Sequence, residues 1–172
     1  ALRHVLVAAQ FVVSIAFLIG TIVIARQMHF VRTLNLGLDK DQVVVLPVQD
    51  ESALAHLATL EREVGQLPGV VSVAASSFKP GPQVWRQNYW REGMAENEFP
   101  MIAWMAVDYG FIKTLGIEIA AGRDFSRRYA SDAGQAYILN ESAVRELGWA
   151  SPEEAVGRAF RIVDKGTIVG VV

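Results

Sequence analysis

In a chain without cysteine, chemistry falls to histidine, carboxylate, hydroxyl and amine side chains. Here they are sparse. His4, His29 and His56 are the only histidines. His4 and His29 lie at opposite ends of an apolar run, and His56 sits on the exposed side of a predicted helix. There is no H-E-x-x-H pair to hold zinc and no G-x-S-x-G elbow to present a nucleophile. A Ser-His-Asp triad would have to rely on His56 alone. No G-x-x-x-x-G-K-[ST] loop is present to cradle a triphosphate, and no G-x-G-x-x-G follows a strand. The carboxylate pairs Glu61/Glu63 and Glu153/Glu154 read as solvated helix surface, with Glu61, Arg62 and Glu63 facing away from the core. Arg127-Arg128 beside Tyr129 is too thin a basic patch for nucleic acid, and the net charge of −2 agrees. These residue types predict no catalytic residue, no cofactor and no metal ligand.

The sequence is instead divided in polarity. Residues 1–32 carry Arg3, Arg26 and Arg32 and no acid, whereas residues 33–172 hold an acidic excess. Val5 to Ala25 has no Asp, Glu, Lys, Arg or His in 21 residues. As a helix it reaches roughly 30 Å, the thickness of a bilayer's hydrocarbon core. Its Val, Leu, Ile and Phe side chains favour insertion by roughly 4–8 kcal/mol before Gln10, Ser14, Thr21 and Gly20 subtract from it. A signal peptide would have a shorter apolar region and a small-residue cleavage site. A buried helix of a soluble protein would not be apolar on every face.

Ala16 and Gly20, one turn apart, form a small-xxx-small pair suited to helix–helix packing. Gln10 is expected to face protein rather than lipid. Gln27, Met28, Phe30, Val31 and Leu34 continue the helix as a stalk toward a stop at Asn35-Leu36-Gly37. Arg26, Arg32 and Lys40 outnumber Arg3 across the span, which by charge alone puts the following domain in the cytoplasm.

Downstream, Gln42 to Val48 reads as a buried strand. Ser52 reads as the cap of a helix striped with Leu54, Leu57, Leu60, Val64 and Leu67, which Pro68-Gly69 ends. Val70 to Ser77 reads as a second strand, parallel to the first. After the loop Phe78–Pro82, Val84–Arg91 and Phe99–Val107 form a hairpin rich in Trp and Tyr. These aromatics read as packing or as a partner surface.

Asp108 is expected to cap a helix over 109–115 that stops at Gly116. Ile117–Ile119 reads as a strand, Ala121–Phe125 as a turn, and Arg127–Gly134 as a polar, mobile stretch. Ala136–Leu139 is a strand, Asn140 a cap, and Glu141–Leu147 a helix stopped at Gly148. Pro152 opens a helical turn ended by Gly157. Ala159–Val163 and Thr167–Val172 pair around Asp164-Lys165-Gly166. The fold class is α+β: one transmembrane helix and stalk, then small βαβ-type subdomains with a β-rich insertion.

The order of these motifs resembles the FtsX-like permeases of MacB type. The resemblance begins in Leu2 to Phe11, Ser14 and Leu36 to Val43. It continues through Leu67-Pro68-Gly69-Val70, Ser76-Ser77, Val107 to Phe111 and Leu115-Gly116. Ala121 to Ser126, Ile138 to Val144, Leu147 to Trp149, Pro152 to Gly157 and Ile168 to Val172 complete it.

The resemblance implies the membrane subunit of a bacterial ABC-type system. Residues 1–36 would be the transmembrane helix and periplasmic stalk. Residues 37–172 would be a periplasmic core domain, with a β-rich insertion at 84–105, truncated at its C-terminal end. It sets that domain outside the cytoplasm, against the charge count, in a bacterial inner membrane. The implied partners are a cytoplasmic ABC ATPase, a second permease copy or repeat, a periplasmic adaptor and membrane lipid, with no nucleic acid. ATP hydrolysis would belong to the ATPase, and the helix would carry its motion outward for export or mechanotransmission. Asp108, Gly116, Gly122, Arg123, Asn140 and Gly157 are the family-like positions and read as caps, turns and stops. A competing reading is a single-span, membrane-anchored extracytoplasmic sensor or binding domain. An anchored hydrolase is a third.

Overall fold

The structure is a computed structural model describing residues 2–33, 37–39, 42–48, 50–78, 84–95, 98 and 100–172. The chain forms two compact units, Ala1–Leu36 and Gly37–Val172. The first is one helix, α1 (Leu2–Thr33). No proline interrupts it and Gly20 is its single glycine. Leu6, Phe11, Phe17 and Leu18 are all exposed along its length. The stalk positions Leu34 to Leu36 lie outside the described residues, as do 79–83, 96, 97 and 99.

In chain order the second unit contains α2 (Glu51–Ala55), α3 (Leu57–Gly65), β1 (Trp85–Asn88), β2 (Trp90–Arg91), β3 (Met101–Trp104), α4 (Phe111–Thr114) and β4 (Ala121–Gly122). These are followed by the irregular turn α5 (Asp132–Gln135), then β5 (Ala136–Leu139), α6 (Glu141–Glu146), α7 (Pro152–Ala155), β6 (Ala159–Arg161) and β7 (Lys165–Val171). Strand β7 organises the sheet. It pairs antiparallel with β6 along its first half and with β4 along its second, and parallel with β5. Strand β2 adds to β6. Helices α6 and α7 lie in the connection between the parallel strands β5 and β7 and supply the cover. Val144, Leu147, Trp149 and Ala155 are buried with Leu139, Phe160, Ile168 and Val171 in one core. Phe111, Ile112 and Leu115 form a smaller second cluster, against which Leu38, Ala74 and Val107 pack.

Local chemistry explains much of this arrangement. Asn140 accepts the Ala143 amide at 2.8 Å, as an N-cap should. Pro152 opens α7. Positive φ at Gly116 and Gly148 ends the preceding helical segments. The 84–107 hairpin forms, with Trp85 opposite Trp104 in an antiparallel pair β1–β3.

Several expectations are corrected. The cap of α2 is Asp50 rather than Ser52. Its Oδ1 accepts the Ser52 and Ala53 amides at 2.7 and 3.2 Å, and its charge also suits a helix N-terminus. His56 leaves helical geometry (φ −112, ψ 20) and splits the striped helix into α2 and α3. Residues 42–48 form no strand. Val44 is 79% exposed, and among the described residues nothing pairs with this run. The 70–77 segment makes only one bridge, Ser76 to Val107, and Val71 is 99% exposed. The expected parallel pair is therefore absent, because a β-branched run becomes a strand only when another backbone satisfies its ladder.

Asp108 does not cap α4 with its side chain. Gly110, at φ +81, leads into that helix instead. Residues 117–119 are not a strand, and pairing starts at Ala121. The β6–β7 turn falls at 162–164, because Arg161 pairs with Lys165. Glu61 faces inward, with one carboxylate oxygen buried.

Candidate functional site: a bare apolar helix and a clasped loop

Two features of the chain could carry function. The first is α1. Its span Leu2–Val31 is long and apolar enough to cross a membrane. At about 1.5 Å per residue it extends roughly 45 Å, beyond the hydrocarbon thickness of about 30 Å. Thr21 bonds its hydroxyl to the Phe17 carbonyl at 2.8 Å, so this polar group is satisfied within the helix. Ala16 and Gly20 share one face. A side chain added at Gly20 would meet nothing within 4 Å, so the notch between them is unfilled.

The second feature is the loop after β4. The approach of β4 to β7 permits no Cβ: one added at Gly170 would lie 2.3 Å from the Arg123 carbonyl oxygen. This crossing fixes Arg123, and its guanidinium forks onto Asp132 with Nη1 to Oδ2 at 2.6 Å and Nη2 to Oδ1 at 2.9 Å. The Ser126 amide donates to Asp132 Oδ2 at 2.8 Å, and Arg123 Nη1 also donates to the Asp124 carbonyl. Tyr129 covers the guanidinium face at 3.9 Å. The Asp132 side chain has no exposed surface, whereas that of Arg123 keeps 35%.

The Arg123 bond holds the Asp132 carboxyl below its ordinary value against the opposing effect of burial. Asp132 reciprocally raises Arg123. Residues 127–134, expected to be mobile, are thus anchored at one end by a buried ion pair. Both Nη groups and one face of the Arg123 guanidinium are engaged within the loop.

An open groove of about 470 Å³ lies between the hairpin and β6, lined by Arg86, Tyr89, Trp90, Met101 and Arg161 among others. Burial raises the Tyr89 phenol. Among the described residues no three His, Asp or Glu side chains converge to hold a metal. His56 is exposed at the α2–α3 break. Sequence reasoning missed Asp132 and Glu61. Asp132 sits in a small-residue tract with no periodicity, and the position of Glu61 on its helix surface gives no local sign of an inward turn.

The family model for the MacB-like periplasmic core domain matches residues 6–172. The chain belongs to this family of ABC-permease domains. Its α+β fold is similar to the periplasmic region of MacB from Actinobacillus actinomycetemcomitans, at 15% identity and TM-score 0.50, over 67% of this chain and 49% of that one. It is also similar to a domain from Porphyromonas gingivalis described as part of a permease protein, at 19% identity and TM-score 0.44, over 65% of this chain and 44% of that one. The chain thus spans less than half the length of either solved relative. No curated protein sequence matches it.

Proposed function

We propose that the chain is part of the membrane subunit of a bacterial ABC-type transporter. In this reading α1 crosses the inner membrane and residues 37–172 work in the periplasm. A cytoplasmic ATPase supplies the energy and the permease itself hydrolyses nothing. The observation that carries the reading is the union, in one family member, of an unbroken apolar helix and the core domain. A helix without proline transmits an axial or tilting displacement with little internal bending. Ala16 and Gly20 admit the close approach of another membrane helix, from a second permease copy or repeat. A periplasmic adaptor is a further partner of the domain. The purpose of the motion is export or mechanotransmission.

Topology is the decisive test. The chain has no cysteine, so a single Ser131→Cys provides a clean reporter on an exposed position. A membrane-impermeant thiol reagent should label it in intact spheroplasts. Labelling only after lysis would put the domain in the cytoplasm and overturn the proposal.

A further inference from the structure

The extended segment made of β1 and β2 is paired on opposite edges along its length. The Tyr89 amide donates to the Pro100 carbonyl at 3.0 Å on the β3 side, and the Glu92 amide donates to the Ala159 carbonyl at 3.1 Å on the β6 side. Successive residues of a strand aim their backbone groups at alternate edges. Odd-numbered residues here therefore serve β3 and even-numbered ones the β6 side. Strand β6 reaches only Trp90 and Arg91, and its last residue, Arg161, already pairs with Lys165 across the turn into β7. Beside Arg86 and Asn88 that edge of β1 is open, and among the described residues no strand fills it.

The side chains along the open edge have a definite character. Tyr89 stacks on Phe160 at 5.7 Å and Arg91 lies over Trp149, which sets the odd-numbered side chains on the core face. The other face carries Arg86, Asn88 and Trp90, with Met101 opposite Asn88 and Arg161 opposite Trp90. The groove of about 470 Å³ is lined by these residues and continues the open edge. Its lining holds two guanidinium groups and the single carboxylate of Glu98. Arg86 donates to the Met101 carbonyl at 3.3 Å, and among the described residues neither arginine has an ion-pair partner.

A single charge beside an open edge can guard it against random pairing. Two arginines with Trp90 and Met101 between them also select: they repel a basic strand and suit one that alternates acidic and apolar side chains. We propose that this edge docks an extended acidic segment of a partner protein, which adds as a short strand beside β1 and in line with β6. Main-chain hydrogen bonds from Arg86 and Asn88 would hold it, Trp90 and Met101 would take its apolar side chains, and Arg86 and Arg161 its carboxylates.

The probe is a fluorescent, end-blocked hexapeptide of alternating glutamate and valine, titrated with the full chain in detergent and read by anisotropy. It should bind saturably, and the same peptide with lysine for glutamate should not. N-methylation of every second amide keeps the side chains and removes the donors along one edge. Of the two alternately methylated versions, one should bind like the parent and the other about tenfold more weakly, as the loss of two net hydrogen bonds implies. Arg161→Gln, at an exposed position, should weaken the glutamate peptide several-fold. No binding, equal binding of the lysine peptide, equal binding of both methylated versions, or indifference to Arg161→Gln would overturn the proposal. Dimers of the chain in sedimentation that Arg161→Gln dissolves would assign the edge to a second copy and overturn it as well.

Discussion

Arg123 and Asp132 stand nine residues apart in the chain and meet through two parallel hydrogen bonds, at 2.6 and 2.9 Å, with the carboxylate wholly buried. The pair closes the loop that leaves β4 and delivers the chain to β5, the strand parallel to β7. It therefore ties together the two strands that flank β7, without occupying the core.

Removing one partner strands a buried charge. A fully buried pair loses about 3–5 kcal/mol when broken, but Arg123 is partly exposed, so water reduces the cost of Arg123→Ala to about 1–3 kcal/mol. Arg123→Lys should recover only part, because a point charge cannot fork. Denaturant unfolding of the detergent-solubilised chain measures both. A loss below about 0.5 kcal/mol for the alanine variant, within the scatter of ordinary surface changes, would remove the clasp from the account of stability.

Acid should release the same clasp. The Asp132 carboxyl lies below its ordinary value of 3.8 in the folded chain. Its contribution is complete above that value and is lost as pH falls through the lower, folded one. Asp132→Asn should therefore lower stability at neutral pH and flatten the decline below pH 3.8. Melting temperatures of parent and variant across pH 2–6 should converge at the acid end; parallel curves would contradict the assignment.

The approach of β4 to β7 predicts a contrast between two glycines. At Gly170 an added Cβ would lie 2.3 Å from the Arg123 carbonyl oxygen, so Gly170→Ala must push backbone from backbone and should cost more than about 2 kcal/mol. Gly134 has a positive φ (+93) but open space around it, so Gly134→Ala should cost only about 1 kcal/mol of conformational strain. Equal effects would show that β4 and β7 separate at little cost and that the close approach does not govern Gly170.

In the membrane, Gly20→Leu fills the notch beside Ala16. The isolated chain should insert as before, because leucine favours lipid. Co-purification with a second permease copy or repeat, or transport, should fall. Ile19→Leu, off that face, is the control. Unchanged assembly and transport in Gly20→Leu would exclude this face from helix packing.

Sequence alone determined the elements whose causes are local. The apolar run makes α1 because 21 uncharged residues are a property of composition. Asn140, Pro152 and the glycines that end helices act on neighbours within a turn, and β5 was evident from its apolar residues and the cap that follows. Only the tertiary structure decided which β-branched runs became strands, since residues 136–139 found a partner in β7 and residues 42–48 found none among the described residues. It also turned Glu61 inward and drew Asp132 from a polar tract under Arg123. The physical reason is common to all three. A strand's hydrogen bonds and a buried charge's counter-ion come from distant parts of the chain, and periodicity or spacing carries no record of which distant residues will meet.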